Sequence, residues 1–167
     1  MAMLELVQTR PDWMNALGMD GIAAHAASMT CRLLDALRNV RHGDDSPAVA
    51  IYGPVDHTDR GGTVAFNLLD RQGRALPYDV VETALSDQGV YVRGGCFCNP
   101  GASEAAFRFD PAKTSACLGA IEDSFSVARF AACLGPEAVV GALRASVGVP
   151  TNVHDIDRLV AAVKTLL

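Results

Sequence analysis

The apolar positions between Pro11 and Arg41 recur at helical spacing. Ile22, Ala26, Met29, Leu33, Leu37 and Val40 follow one another at steps of three and four, the signature of a helix with one buried face. Gly18 and Gly21 weaken the start of this element, each by roughly 1 kcal/mol against alanine in a helix interior, so the spacing predicts a helix that is firm only from about Ile22. Gly43 and the polar run Asp44-Asp45-Ser46-Pro47 close it. The period then changes. Ala48 to Tyr52 is a short apolar run stopped by Gly53-Pro54. From Gly62 to Leu69 the pattern alternates, with Val64, Phe66 and Leu68 on one side and Thr63, Ala65 and Asn67 on the other. Both segments are predicted strands. Pro77 opens a second helix with Val80, Val81, Ala84 and Leu85 on one face, and Gly89 stops it. Val90-Tyr91-Val92 is a third predicted strand, leading directly into Arg93.

Residues Ala102 to Cys117 carry no clear period and are expected to form loop with a short helix. A helix is predicted from about Asp123 to Cys133, ended by Gly135-Pro136, and a strand from Gly141 to Val147. The last element, Asn152 to Leu167, has the plainest helical pattern, with Ile156, Leu159, Val160, Val163 and Leu167 on one face. Asn152 is placed to cap it and Asp155 to close a capping box. The order predicts an α/β (α+β) layer, in which helices flank a small mixed or antiparallel sheet. No internal repeat interrupts it.

Composition narrows the partners. The 167 residues are 50% hydrophobic and 20% charged with a net charge of -5, which disfavours a nucleic-acid partner because that needs a basic footprint. No run of about 18 apolar residues suggests a membrane span, and Met1 to Arg10 lacks the pattern of a signal peptide, so a cytoplasmic location is expected. The five cysteines, Cys31, Cys96, Cys98, Cys117 and Cys133, are odd in number and irregularly spaced, and are expected to form no disulfide framework. Cys31 and Cys133, inside helical patterns, read as small buried hydrophobes.

Cys96 and Cys98 differ. Gly94-Gly95 and Pro100-Gly101 bracket them in a short segment that directly follows a predicted strand. Such a segment can project a thiol outward, and Arg93 supplies a cation that favours the reactive thiolate, or a fork for a carboxylate. Half of a zinc site, a strained disulfide and a merely structural role are the competing readings of the pair. Zinc is disfavoured because Cys-x-Cys is not the usual knuckle spacing. Arg144 stands in a predicted strand of otherwise apolar and small residues; it is either a surface-facing residue or a placed anion receptor.

The run Arg93-Gly94-Gly95-Cys96-Phe97-Cys98-Asn99-Pro100-Gly101-Ala102 closely resembles the cysteine loop of the molybdenum cofactor sulfurases. These belong to the pyridoxal-phosphate-dependent superfamily of class V aminotransferases and cysteine desulfurases. Tyr52-Gly53-Pro54, Arg60 to Asn67, Arg144 to Gly148 and Asp155 to Arg158 resemble the C-terminal domain of the same family, so the likeness covers nearly the whole chain. It implies the small C-terminal domain of the fold type I pyridoxal-phosphate architecture (residues 44–167), preceded by a long linking helix (residues 1–43). It implies that Cys98 is the catalytic cysteine that takes sulfur from cysteine as a persulfide. Arg144 and Arg93 become the receptors of the substrate carboxylate, with Cys96 and Asn99 as supporting positions. Gly94 replaces a more usual threonine, and Ser103 stands where a further cysteine often follows.

Enzymes of this superfamily hold the cofactor on a lysine upstream of the cysteine loop. The only lysines here are Lys113 and Lys164, both downstream. The resemblance therefore implies that this chain alone binds no pyridoxal phosphate and is inactive by itself. Its expected partners are a cofactor-binding large domain or partner subunit, a sulfur acceptor and, at most, a second copy in a homodimer. Two other readings stand beside the enzyme part: a non-enzymatic sulfur-carrier or partner-binding module, and an inactive remnant.

Overall fold

The computed structural model describes residues 16–56, 59–96, 100–121, 125–135 and 138–167. Among these residues ten elements follow in chain order: α1 (Met19–Arg38), β1 (Val49–Tyr52), β2 (Thr63–Leu68), α2 (Tyr78–Asp87), β3 (Arg93–Gly95), α3 (Pro100–Phe107), α4 (Pro111–Ile121), α5 (Val127–Leu134), β4 (Ala142–Ser146) and α6 (Val153–Lys164). The four strands form one antiparallel sheet in the order β1-β2-β4-β3.

Alternation along β2 and β4 sorts the two faces of the sheet. Val64, Phe66, Leu68, Leu143 and Ala145 turn to one side and are buried against α1, α2 and α6. Leu33, Leu34 and Leu37 of α1 meet Ile156, Leu159 and Val163 of α6 in that same core. The α1 helix therefore shares its apolar face with the sheet, and Arg32 adds an exposed ion pair to Asp157 at 2.9 Å. An exposed pair of this kind contributes little, so burial holds the two helices together. The capping box of α6 forms as expected: Asn152 Oδ1 accepts from the His154 amide at 2.8 Å, and Asp155 Oδ2 accepts from the Asn152 amide at 2.9 Å.

Three expectations need correction. The third strand is Arg93–Gly95, not residues 90–92, because pairing with β4 places the ladder at Arg93, Gly94 and Gly95. The stretch expected to be loop with a short helix contains two helices, α3 and α4. In α4 the sequence Pro-Ala-Lys-Thr-Ser-Ala-Cys-Leu-Gly-Ala-Ile shows small and apolar residues on every side, so the helix carries no period to read. Cys117 and Cys133 are joined by a disulfide, with Cα atoms 5.7 Å apart, where neither was expected to pair. The α4–α5 hairpin brings together two positions whose 16-residue separation has no meaning until both helices exist.

Segment 96–141, between the adjacent strands β3 and β4, holds α3, α4 and α5. Cys117, Phe130 and Leu134 form a small second core there, with Phe109, Ile121, Ala138 and Val140 around it. A run of rings joins it to the sheet: Tyr52 meets Phe107 edge-on at 5.1 Å between centroids, Phe107 meets Phe109 at 5.7 Å, and Phe109 meets Phe130 at 5.8 Å. Among the described residues, no helix is long and apolar enough to cross a membrane.

Candidate carboxylate-binding face

The sheet register aligns one residue from each strand. Tyr52 of β1 opposes Ala65 of β2, Ala65 opposes Arg144 of β4, and Arg144 opposes Arg93 of β3. Directly opposed residues in a sheet project to the same face, so both arginines stand on the side away from the main core. Arg144 is half-buried and Arg93 is exposed. Like charges directly opposed across a ladder repel, and a bound anion turns that repulsion into attraction. Two planar forks side by side suit a carboxylate, which accepts parallel N–H bonds from each.

Tyr52 closes the row at its other end. The Asn67 Nδ2 donates to the Gly141 carbonyl at 3.0 Å and to the Tyr52 hydroxyl at 3.2 Å. Burial raises the Tyr52 phenol above the ordinary tyrosine value of 10.0, and the bond from Asn67 offsets this only in part. The folded state thus favours the neutral phenol. Its contribution is complete below the ordinary value and is lost as pH rises through the higher folded value. Tyr52→Phe is therefore expected to flatten the loss of stability as pH rises above the ordinary tyrosine value of 10.0, measured as the urea midpoint. An alkaline profile identical to the unsubstituted chain would show that Tyr52 carries none of it. The effect is partial, because Tyr78 is raised in the same direction by burial and by the nearby charges of Asp79, Cys96 and Glu82.

The cysteine segment leaves β3 at Gly95. Its base is clamped from α2: Glu82 Oε1 accepts from the Gly94 amide at 3.0 Å, and a Cβ on Gly94 would lie 2.5 Å from Tyr78 Cδ2 and 2.6 Å from Glu82 Oε2. This contact is the reason for glycine where the resemblance leads one to expect threonine. Cys96 is half-buried, close enough to Tyr78 to act on it electrostatically. Cys98 and Asn99 lie outside the described residues. The structure thus brings together Arg93 and Arg144 of the site residues singled out from sequence, and adds four that received no site role from sequence: Tyr52, Asn67, Tyr78 and Glu82. Asn67 left a faint signal, as an amide on the polar side of an alternating strand.

Neither lysine joins this face. Lys113 lies on α4 of the hairpin, its Nζ 3.6 Å from where a Cβ on Gly135 would stand, and Lys164 is in the last turn of α6. The described residues therefore suit an anion and offer no amine for a Schiff base beside the two arginines. Among them there is also no cluster of three or more metal-ligating side chains.

A profile of the family described as "Aminotransferase class-V" matches residues 6–159. The molybdenum cofactor sulfurase of Neurospora crassa is 30% identical over 147 residues, covering 87% of this chain and 15% of that protein. The molybdenum cofactor sulfurase of Drosophila melanogaster is 29% identical over 153 residues, covering 88% and 19% respectively. The chain thus spans less than a fifth of the length of these curated relatives. Among solved structures, the apo cysteine desulfurase of Thermococcus onnurineus superposes with a TM-score of 0.58 at 19% identity, over 92% of this chain and 28% of that one. That likeness establishes the fold: a small antiparallel sheet flanked by helices, as in the fold type I pyridoxal-phosphate enzymes.

Proposed function

The chain belongs to the class-V aminotransferase family, and from this premise we propose that it is the carboxylate-binding, sulfur-accepting part of a cysteine desulfurase-like enzyme, of the kind represented by the molybdenum cofactor sulfurases. The observation that carries the reading is the pairing of Arg93 with Arg144 on one face, at the root of the cysteine segment. In this reading the two guanidinium groups hold the α-carboxylate of cysteine. Cys98 then takes the sulfur atom as a persulfide and passes it to an acceptor. The family's chemistry draws on pyridoxal phosphate as an electron sink. A large domain or partner subunit bearing the lysine supplies that group, and no step is assigned to it on this chain.

The test pairs the chain with a lysine-bearing large domain and measures sulfide released from L-cysteine. Cys98→Ser is expected to abolish the protein-bound persulfide seen by mass spectrometry. Arg144→Leu is expected to raise the half-saturating cysteine concentration at least tenfold, about 1.4 kcal/mol of binding. Unchanged persulfide in Cys98→Ser, or unchanged saturation in Arg144→Leu, would remove the basis of the reading.

A further inference from the structure

The α4–α5 hairpin carries chemistry that the proposed sulfur transfer does not use. Its disulfide joins two sulfurs in unlike surroundings. Cys117 is 3% exposed and packed with Phe130 and Leu134, whereas Cys133 lies on the exposed side of α5. The small core beneath them is separate from the main one, and the helices it supports have only 11 and 8 residues. Helices of this length are marginal in water without packing, and a core of this size supplies little of it. The cross-link narrows the unfolded conformations of the hairpin, so the order of the hairpin depends on the bond.

We propose that Cys117–Cys133 is a reversible thiol–disulfide site, opened by a dithiol reductant at the Cys133 sulfur, whose redox state sets the order of the α4–α5 hairpin. A thiolate of the reductant forms a mixed disulfide with Cys133 Sγ. The bond to Cys117 breaks, and its electron pair leaves on Cys117 Sγ, which takes up a proton. The second thiol of the reductant then attacks the reductant's own sulfur in the mixed disulfide and releases Cys133 as a thiolate. The reductant ends as a disulfide and the protein as a dithiol, with two electrons transferred. Attack at Cys133 follows from access, because Phe130 and Leu134 enclose Cys117. Opening the hairpin reaches the arginine face through Ala138 and Val140, which pack on the small core just before Gly141 receives the bond from Asn67.

The test uses the full chain and does not depend on Cys98 or the arginines. In protein purified without reductant, alkylation under denaturing conditions should leave Cys117 and Cys133 unmodified, and dithiothreitol should expose both. Brief native treatment with glutathione, quenched in acid, should place glutathione on Cys133 in at least tenfold excess over Cys117. Amide exchange over residues 111–134 should rise at least tenfold on reduction while residues 33–37 and 64–68 stay protected. Cys133→Ser should reproduce that exchange pattern without reductant. Equal glutathione on the two sulfurs, unchanged exchange in the hairpin, or an equal rise throughout the chain would each overturn the proposal.

Discussion

Gly141→Ala is expected to destabilise the chain by about 2–5 kcal/mol, through two costs that act at one atom. Gly141 has φ of +105°, a region that residues with a Cβ rarely adopt. A Cβ built there would also stand 2.7 Å from Tyr78 Cε1, 2.8 Å from Tyr78 Cδ1 and 3.2 Å from the Gly95 carbonyl carbon. The ring can turn aside only by giving up its seat over Gly94, and the backbone of Gly95 has no such freedom. Urea unfolding of Gly141→Ala and Tyr78→Ala, singly and together, separates the costs. Removal of the ring should recover part of the loss, so that the double variant is more stable than the sum of the singles predicts. Strict additivity would show that Tyr78 does not limit position 141.

Phe66→Ala is expected to cost about 3–5 kcal/mol, a large share of the roughly 5–15 kcal/mol that holds most domains folded. Phe66 is fully buried, sits on central strand β2, and is opposed by Ile51 on one side and Leu143 on the other. Its loss leaves a cavity bounded by two ladders that cannot close without breaking their hydrogen bonds. Val80→Ala is the control and should shift the urea midpoint little, because Val80, expected on the core face of α2 beside Val81 and Leu85, is in fact 61% exposed. Similar shifts for the two variants would contradict the assignment of the core face.

The same alternation that makes Phe66 critical made β2 legible in the sequence: Val64, Phe66 and Leu68 face the core as read. The last helix was legible for a similar reason, since Asn152 and Asp155 carry its start in their own side chains. What was not legible depended on partners far along the chain. Val90-Tyr91-Val92 has the composition of a strand, yet the ladder forms on Arg-Gly-Gly, because β4 is paired there and glycine admits Tyr78. Cys117 and Cys133 read as unrelated because a hairpin brings them together. Arg93 and Arg144 were placed at one carboxylate only through the family resemblance, because their juxtaposition is a matter of register, which no local pattern encodes. Tyr52 and Asn67 lay in segments that carry the family resemblance but received no role from it, because their bond spans neighbouring strands.

The strand order β1-β2-β4-β3 also governs when the protein comes into being. Among the described residues β4 is the last strand in sequence yet occupies an interior position, and β3 pairs with no other strand. A chain growing from its N-terminus can form the β1–β2 ribbon early, but β2 then keeps an open edge until residues 142–146 arrive. Arg93 waits equally long for Arg144. A ribosome-bound chain stopped before residue 142 should therefore show the β1–β2 ribbon without the arginine pair, and should be prone to strand-edge association. Synthesis through residue 146 is the condition for Arg93 and Arg144 to stand side by side, so the topology itself keeps chains that stop before β4 from presenting that pair.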